Sequence, residues 1–241
     1  MADSDLILSI DTSDRELGVD LTSRGECLGR EILEQPRIHA SMLVPTVLDL
    51  LSAADRTFSD LAAVAVSKGP GSYTGLRIGV SSAKGLAFAL GIPLIGIETM
   101  RAMAVVQAAA GETQTYLTTL SSRRNEIYAQ VWSLHEIVRP LSDVASVSME
   151  DLPAFLSETG KRAFAVSGSG SPDVVAAFAS LKEFSVVPSE RTASIVEGVA
   201  VLAAERFTRQ EFDDVATFEP FYLKDFVAKK GASPFAAARK R

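Results

Sequence analysis

Ala63 to Ile97 reads AVAVSKGPGSYTGLRIGVSSAKGLAFALGIPLIGI. Four small apolar residues and a serine open it, a buried strand over Ala63 to Ser67. Lys68 to Gly75 follows as a glycine-rich turn. From about Thr74 to Leu90 the charged residues Arg77 and Lys84 share one narrow strip with Ser81 and Phe88, at helical spacing. Leu94 to Ile97 is a second apolar strand. Thr74 is expected to cap the helix. Glycines in such a turn let backbone N–H groups face a ligand at a helix N-terminus, where the dipole favours anions. The turn is not a Walker A loop, because no Lys-Ser/Thr follows its second glycine. It is not the dinucleotide fingerprint, because Thr74 stands at the third glycine position.

Upstream, Leu6 to Ile10, Leu17 to Leu21 and Cys27 to Leu33 read as a three-stranded meander with turns at Asp11 to Arg15 and Arg24-Gly25. A helix is predicted from about His39 to Ala54. Downstream, Thr99 to Ala110 is a helix, and the opening then recurs. Strand Thr115 to Leu120, a polar turn and strand Glu126 to Leu134 repeat the strand, turn and strand of Ile7 to Leu21. A linker-like stretch with Pro140 and Pro153 leads to a short helix. Strand Ala163 to Ser167, the turn Gly168-Ser169-Gly170, helix Asp173 to Leu181, strand Ser185 to Val187 and helix Ala193 to Arg209 complete the pattern. This is a duplicated α/β unit with mixed sheets, divided as residues 1–105, 106–226 and a basic tail over 227–241.

The chain has 241 residues, 47% of them apolar and 22% charged, which suits a globular protein and excludes a disordered one. Cys27 is the single cysteine, so no intrachain disulfide or cysteine zinc site can form. His39 and His135 are too far apart in sequence for a paired-histidine motif. The opening MADSD is acidic, unlike a signal peptide, and the most apolar run, Gly85 to Ile97, is too short to span a bilayer. A cytoplasmic location is expected. Net charge is −6, which gives no global cationic footprint for nucleic acid. Ala228 to Arg241 alone carries five cations and no acid, leaving −11 on the remainder. That tail reads either as a solubilising end or as a basic arm that touches RNA.

Asp11-Thr12-Ser13 occupies the first tight turn. Its carboxylate and hydroxyls could meet a phosphate or a metal-bound water, or could cap the hairpin backbone. With Gly69, Gly71 and Gly168 they form the candidate nucleotide cleft. Neither histidine stands in a catalytic-triad setting.

Together ILSIDTSDRELGVDL (residues 7–21), RIHASMLVP (37–45), AVSKGPGSYTGLRIGVSSAKGLAFALGIPLIGI (65–97) and PFYLKDF (220–226) resemble the TsaB family, also called YeaZ. The match is dense over residues 6–100 and looser over 101–226. The resemblance implies an actin-like ATPase superfamily fold of two RNase H-like subdomains, in agreement with the duplication. It implies a part in making N6-threonylcarbamoyladenosine at position 37 of tRNAs that decode ANN codons. In that pathway TsaB-like proteins are partner subunits, a TsaD-like protein is the transferase and holds a metal through an HxxxH motif, and a TsaE-like ATPase completes the assembly. Here Thr99 and Met103 stand where those two histidines would be, and neither replaces imidazole as a ligand. No metal, no cofactor and no catalytic residue are therefore expected, and tRNA contact is expected only through the complex. Many TsaB-like proteins carry Asp in the turn corresponding to Ser121-Ser122, and its absence here weakens any carboxylate-based metal or nucleotide role for the second subdomain.

Two other readings stay open: a stand-alone ATPase or phosphotransferase using Asp11 and the glycine loops, and a regulator acting as a homodimer. For the partner reading, the helix from His39 spreads its apolar residues over roughly 160°, more than the ~100° one core contact needs. The expected partner face comprises Leu43, Val47, Leu50 and Leu51 on that helix with Arg77, Ser81, Lys84 and Phe88 on the next. A TsaD-like subunit, or a second copy in its absence, would cover it.

Overall fold

A computed structural model describes residues 5–35, 38–108, 115–122, 125–134, 138–179, 181–189 and 194–224. His135 and the basic tail lie outside the described residues. Eleven strands and six helices follow one another in a repeated order among the described residues.

In the first half, β1 (Leu6–Asp11), β2 (Leu17–Ser23) and β3 (Glu26–Leu33) form the antiparallel meander, and α1 (His39–Ala53) follows. β4 (Leu61–Gly69) adds to β1 in parallel, and β5 (Leu94–Glu98) adds to β4 in parallel after α2 (Tyr73–Leu90). The sheet order is β3-β2-β1-β4-β5, and α3 (Thr99–Ala108) leaves it.

The second half repeats the plan. β6 (Thr115–Ser121) and β7 (Glu126–Ser133) make a hairpin, with the short β8 (Arg139–Pro140) and β9 (Ala145–Ser148) on β7. After α4 (Leu152–Glu158), β10 (Ala163–Ser167) adds to β6 in parallel. After α5 (Ser171–Phe178), β11 (Ser185–Pro188) adds to β10 in parallel. α6 (Ile195–Thr208) closes the repeat. The linker-like stretch around Pro140 thus contains two short edge strands that the sequence pattern missed. A two-residue strand that includes a proline gives no periodicity to read.

β1 is buried along its whole length, so it needs cover on both faces. On one face α1 and α2 supply it, in a core of Leu8, Ile10, Val19, Leu43, Val47, Leu51, Val64 and Val80. On the other lies a second core that holds Ile7, Ala65 and Ile97 from the first sheet and Tyr116, Leu120 and Trp132 from the second. Met100, Met103, Val199 and Leu202 of α3 and α6 fill the space between. A third core under α4 and α5 covers the far face of the second sheet. The result is five layers: helices, sheet, helices, sheet, helices.

The middle layer is tight. A Cβ at Gly198 would lie 2.0 Å from the Ala102 carbonyl oxygen, so α6 and α3 cross backbone to backbone. α6 belongs to the second repeat in sequence yet packs on β1 and β2; a Cβ at Gly18 would meet Val196 at 2.7 Å.

After α6 the chain returns to the first sheet as a strap. Asp213 N–H donates to the Leu94 carbonyl at 2.9 Å, and Phe221 N–H to that of Lys68 at 2.7 Å. The Asp213 carboxylate accepts from Gly96 N–H at 2.8 Å and from Arg206 at 3.1 Å. The buried Phe218 ring sits where a side chain at Gly96 would be, 2.3 Å from such a Cβ. Lys84 Nζ donates to the Phe218 carbonyl at 2.7 Å. Lys224 then pairs with Glu126 of the second half.

Truncating a buried phenylalanine costs about 3–5 kcal/mol. Phe218→Ala is expected to lose stability of that order in urea denaturation, with trypsin cutting the strap first. A loss under about 1 kcal/mol would show that the ring does not anchor it.

Candidate functional site

The turn after β1 is held almost wholly by its own chain. The Asp11 carboxylate is buried and accepts from Ser13 N–H at 3.1 Å, from the Ser13 hydroxyl at 2.6 Å and from the Ser67 hydroxyl. Thr12 Oγ1 donates to the Gly75 carbonyl at 2.8 Å, and Ser72 N–H donates to the Ser13 carbonyl at 2.6 Å. The glycines answer to this approach. A Cβ at Gly75 would lie 1.9 Å from the Thr12 carbonyl oxygen, at Gly79 2.2 Å from Thr12 Oγ1, and at Gly71 2.3 Å from the Ser13 carbonyl oxygen.

The structure does not bring the expected cleft residues Asp11, Thr12, Ser13, Gly69, Gly71 and Gly168 together around one described cavity. Asp11 and Thr12 line none of the three cavities described below. Gly69 has φ +119° and faces the Phe221 carbonyl, where a Cβ would stand 2.4 Å away. Ser13 and Gly71 reach the edge of one cavity and Gly168 the edge of another. Gly168 has φ +96° and packs on the Thr119 carbonyl and Met103, so its lack of a side chain serves the hairpin contact. The helix cap differs as well: Ser72 caps α2, its hydroxyl accepting from Gly75 N–H at 3.2 Å, while Thr74 lies inside the helix, exposed.

Between the two halves lies a cavity of about 690 Å³ with Asp14, Arg15, Glu16, Glu34 and His39 on one side and the Gly168 to Ser171 loop on the other. Burial pushes the Asp14 carboxyl up, against a hydrogen bond with Ser169. Burial also raises Glu16, with Glu34, Asp11 and Asp14 adding to the effect. Three carboxyl groups against one guanidinium make a poor setting for a polyphosphate. His39 directs Nε2 to the Glu16 carbonyl at 3.0 Å. A second cavity, about 480 Å³, opens at the N-terminus of α2 beside Tyr73, Tyr128, Tyr222 and Lys224. A third, about 750 Å³, lies under the strap beside Lys68, Glu98 and Asp143. Thr99 and Met103 are buried on α3. Among the described residues no group of three His, Cys, Asp or Glu side chains is placed to share a metal.

The outer helical layer also needs correction. Leu43, Val47 and Leu51 belong to the first core, and Leu50 is half-buried with its Cδ2 over Gly29. The sheet takes this arc of α1, and the outward residues are instead Met42, Val44 and Leu48. On α2, Arg77 and Ser81 are exposed and Phe88 is 80% exposed, as the strip implies. Lys84 lies on that strip but holds the strap carbonyls. Arg77 lies over the Tyr73 ring, 5.5 Å from its centroid. The strap residues Phe218, Tyr222 and Lys224 had no structural role from sequence; PFYLKDF, which holds two of them, enters there only as one of the stretches that carry the TsaB resemblance.

Comparisons with known proteins bear on this geometry. Residues 27–232 match the family model for TsaD, tRNA N6-adenosine threonylcarbamoyltransferase. The tRNA threonylcarbamoyladenosine biosynthesis protein TsaB of Escherichia coli K12 is 34% identical over 122 residues, 51% of this chain and 52% of that protein. The protein of the same name from Bacillus subtilis 168 is 40% identical over 98 residues, 41% of this chain and 43% of that one. The chain thus spans about half the length of the curated relatives it matches. A solved Pseudomonas aeruginosa protein described as similar to peptidase YEAZ superposes with a TM-score of 0.71 at 25% identity, covering 91% of this chain and 99% of that one. A ROK hexokinase from Thermus thermophilus superposes at 0.51 with 12% identity over 85% and 99%, a likeness of fold alone. The fold is the actin-like one.

Burial also raises the Asp11 carboxyl, against its hydrogen bonds from Ser13 and Ser67. A carboxyl held above its usual range keeps a proton that the unfolded chain has released, so the folded state binds more protons from about pH 4 upward. Asp11, Asp14 and Glu16 therefore each contribute stability that is full below that range and lost as pH rises through the folded value. Asp11→Asn keeps an acceptor and removes the charge. Its stability is expected to fall less steeply than the parent's between about pH 4 and 7 in urea titrations. An unchanged slope would mean that Asp11 does not titrate in this sense.

Proposed function

We propose that this chain, which belongs to the family of tRNA N6-adenosine threonylcarbamoyltransferase TsaD as one of its TsaB (YeaZ) members, is a non-catalytic partner subunit in making threonylcarbamoyladenosine on tRNA. One observation carries the reading. The turn and glycines that would serve chemistry are spent on internal packing, while the outer helical layer leaves large apolar side chains in water. Phe88 is 80% exposed, Val44 50% and Leu48 48%, on the two adjacent helices α1 and α2. Exposed apolar side chains on neighbouring helices favour a helical partner face.

In this reading the partner is a TsaD-like transferase with a matching pair of helices, and a second copy of this chain takes its place when the transferase is absent. A TsaE-like ATPase joins the same assembly, and tRNA is brought by the complex. The chain acts as two subdomains, 1–105 and 106–226, followed by the basic tail, and works in the cytoplasm. No described helix is long and apolar enough to cross a membrane. The interface is centred on Phe88 with Met42, Val44, Leu48, Arg77 and Ser81 around it. Support for a non-catalytic role comes from Thr99 and Met103 at the positions of the transferase histidines and from the internal use of the Asp11 carboxylate.

A central aromatic anchor contributes about 2 kcal/mol or more when truncated. Phe88→Ala is expected to weaken partner binding about 30-fold in analytical ultracentrifugation, and Phe88→Asp to abolish it, with circular dichroism unchanged. If both bind as the parent does, this face is not the interface. Depletion of the protein in its host should lower threonylcarbamoyladenosine in digested tRNA by mass spectrometry. Unchanged levels would refute the proposed role.

A further inference from the structure

The first cavity, between the two halves, has a wall chemistry that the partner role leaves unused. Ser167 ends β10 at 9% exposed, and its hydroxyl has no hydrogen-bond partner. Side chains alternate along a strand, so Ser167 faces the same way as Ala165, toward the middle core between the sheets. The cavity of about 690 Å³ borders that core, and Ser167 shares its wall with Met103 and Ile195. A buried hydroxyl left unbonded costs free energy in the folded state, which a polar group of a ligand removes.

The opposite wall sets the sign of that ligand. Asp14, Glu16 and Glu34 lie there with Arg15, and the His39 ring is turned to the Glu16 carbonyl. Burial holds Asp14 and Glu16 above the usual carboxylate range, and Glu34 presses further on Glu16. A cation in the cavity offsets that cost, whereas an anion adds to it. The carboxyls do not converge: among the described residues no three acidic, His or Cys side chains are placed to share a metal ion. They suit separate positive charges carried on one flexible molecule. Between them the wall is apolar, with Met103, Val166, Pro172, Pro188 and Ile195 open to methylene groups.

We propose that this cavity binds an aliphatic polyamine, with its ammonium groups on Asp14, Glu16 and Glu34, one N–H donated to the Ser167 hydroxyl, and its methylenes along Met103 and Ile195. The site stands apart from the face centred on Phe88 and does not depend on the partner role.

The test is isothermal titration calorimetry of the full chain with spermidine in about 0.15 M salt, where diffuse surface attraction is screened. One saturable site is expected, and butylamine, which has a single ammonium, is expected to bind about tenfold more weakly. Asp14→Asn combined with Glu16→Gln is expected to weaken spermidine binding about thirtyfold, and Ser167→Ala about threefold. Glu150→Gln combined with Glu158→Gln removes the same charge from exposed positions outside the cavity, and is expected to leave binding unchanged. Circular dichroism checks folding. Should the cavity pair fail to fold, Glu34→Gln at the exposed rim is read in its place, with a loss of about fivefold expected. Four results would overturn the proposal: no saturable binding by the parent below about 1 mM, equal binding of butylamine, unchanged binding in the cavity variants, or an equal loss in the surface pair. Equal binding of butylamine would mean that one ammonium suffices, as a lysine side chain supplies. An equal loss in the surface pair would mean diffuse attraction to an acidic protein.

Discussion

The approach of the Thr12 backbone to α2 sets the terms for the rest of the molecule. Gly71, Gly75 and Gly79 present a bare stripe on which the Asp11-Thr12-Ser13 turn lies, closer than any side chain would permit. That contact fixes α2 against the end of β1, and with it the helical layer on the outer face. It also turns the Asp11 and Thr12 side chains toward the chain itself. Asp11 accepts from Ser13 and Ser67, Thr12 donates to Gly75, and the loop N–H at Ser72 donates to Ser13. The same glycines that look like a ligand cradle in one dimension are a packing surface in three.

Two consequences follow from seating α2 this way. Its strip from Arg77 to Phe88 is turned outward, and the strap crosses over Lys84 to place Phe218 on Gly96. The strap therefore ties the outer helical layer to the strand ends of the first sheet, and Lys224 carries that tie to the second half. The middle layer, where Gly198 meets Ala102, joins the repeats through backbone contact. This bracing engages Asp11 and Thr12 in internal hydrogen bonds and leaves Val44, Leu48 and Phe88 exposed on α1 and α2.

Much of this was legible in the residues. Alternation placed β1 to β3, and the length of the apolar helix from His39 was read almost to the residue, because each element has a face with uninterrupted periodicity. The duplication was visible because the two hairpins share one pattern. Less legible was which side of α1 faces inward: Leu43 and Val44 are both apolar, and only the position of the sheet decides that Leu43 is core and Val44 is surface. The role of the glycines was hidden because their function depends on Thr12, more than fifty residues earlier. The strap was hidden because it has no period; Asp213, Phe218 and Tyr222 act singly, each on a different distant partner.

The most direct test of the partner face is hydrogen–deuterium exchange of the full chain with and without a TsaD-like transferase. The account predicts that exchange slows in α1 around Met42 to Leu48 and in α2 around Arg77 to Phe88, while the Asp11 to Glu16 turn is unchanged. Protection confined to that turn and the Gly168 loop, with the outer helices unaffected, would contradict it.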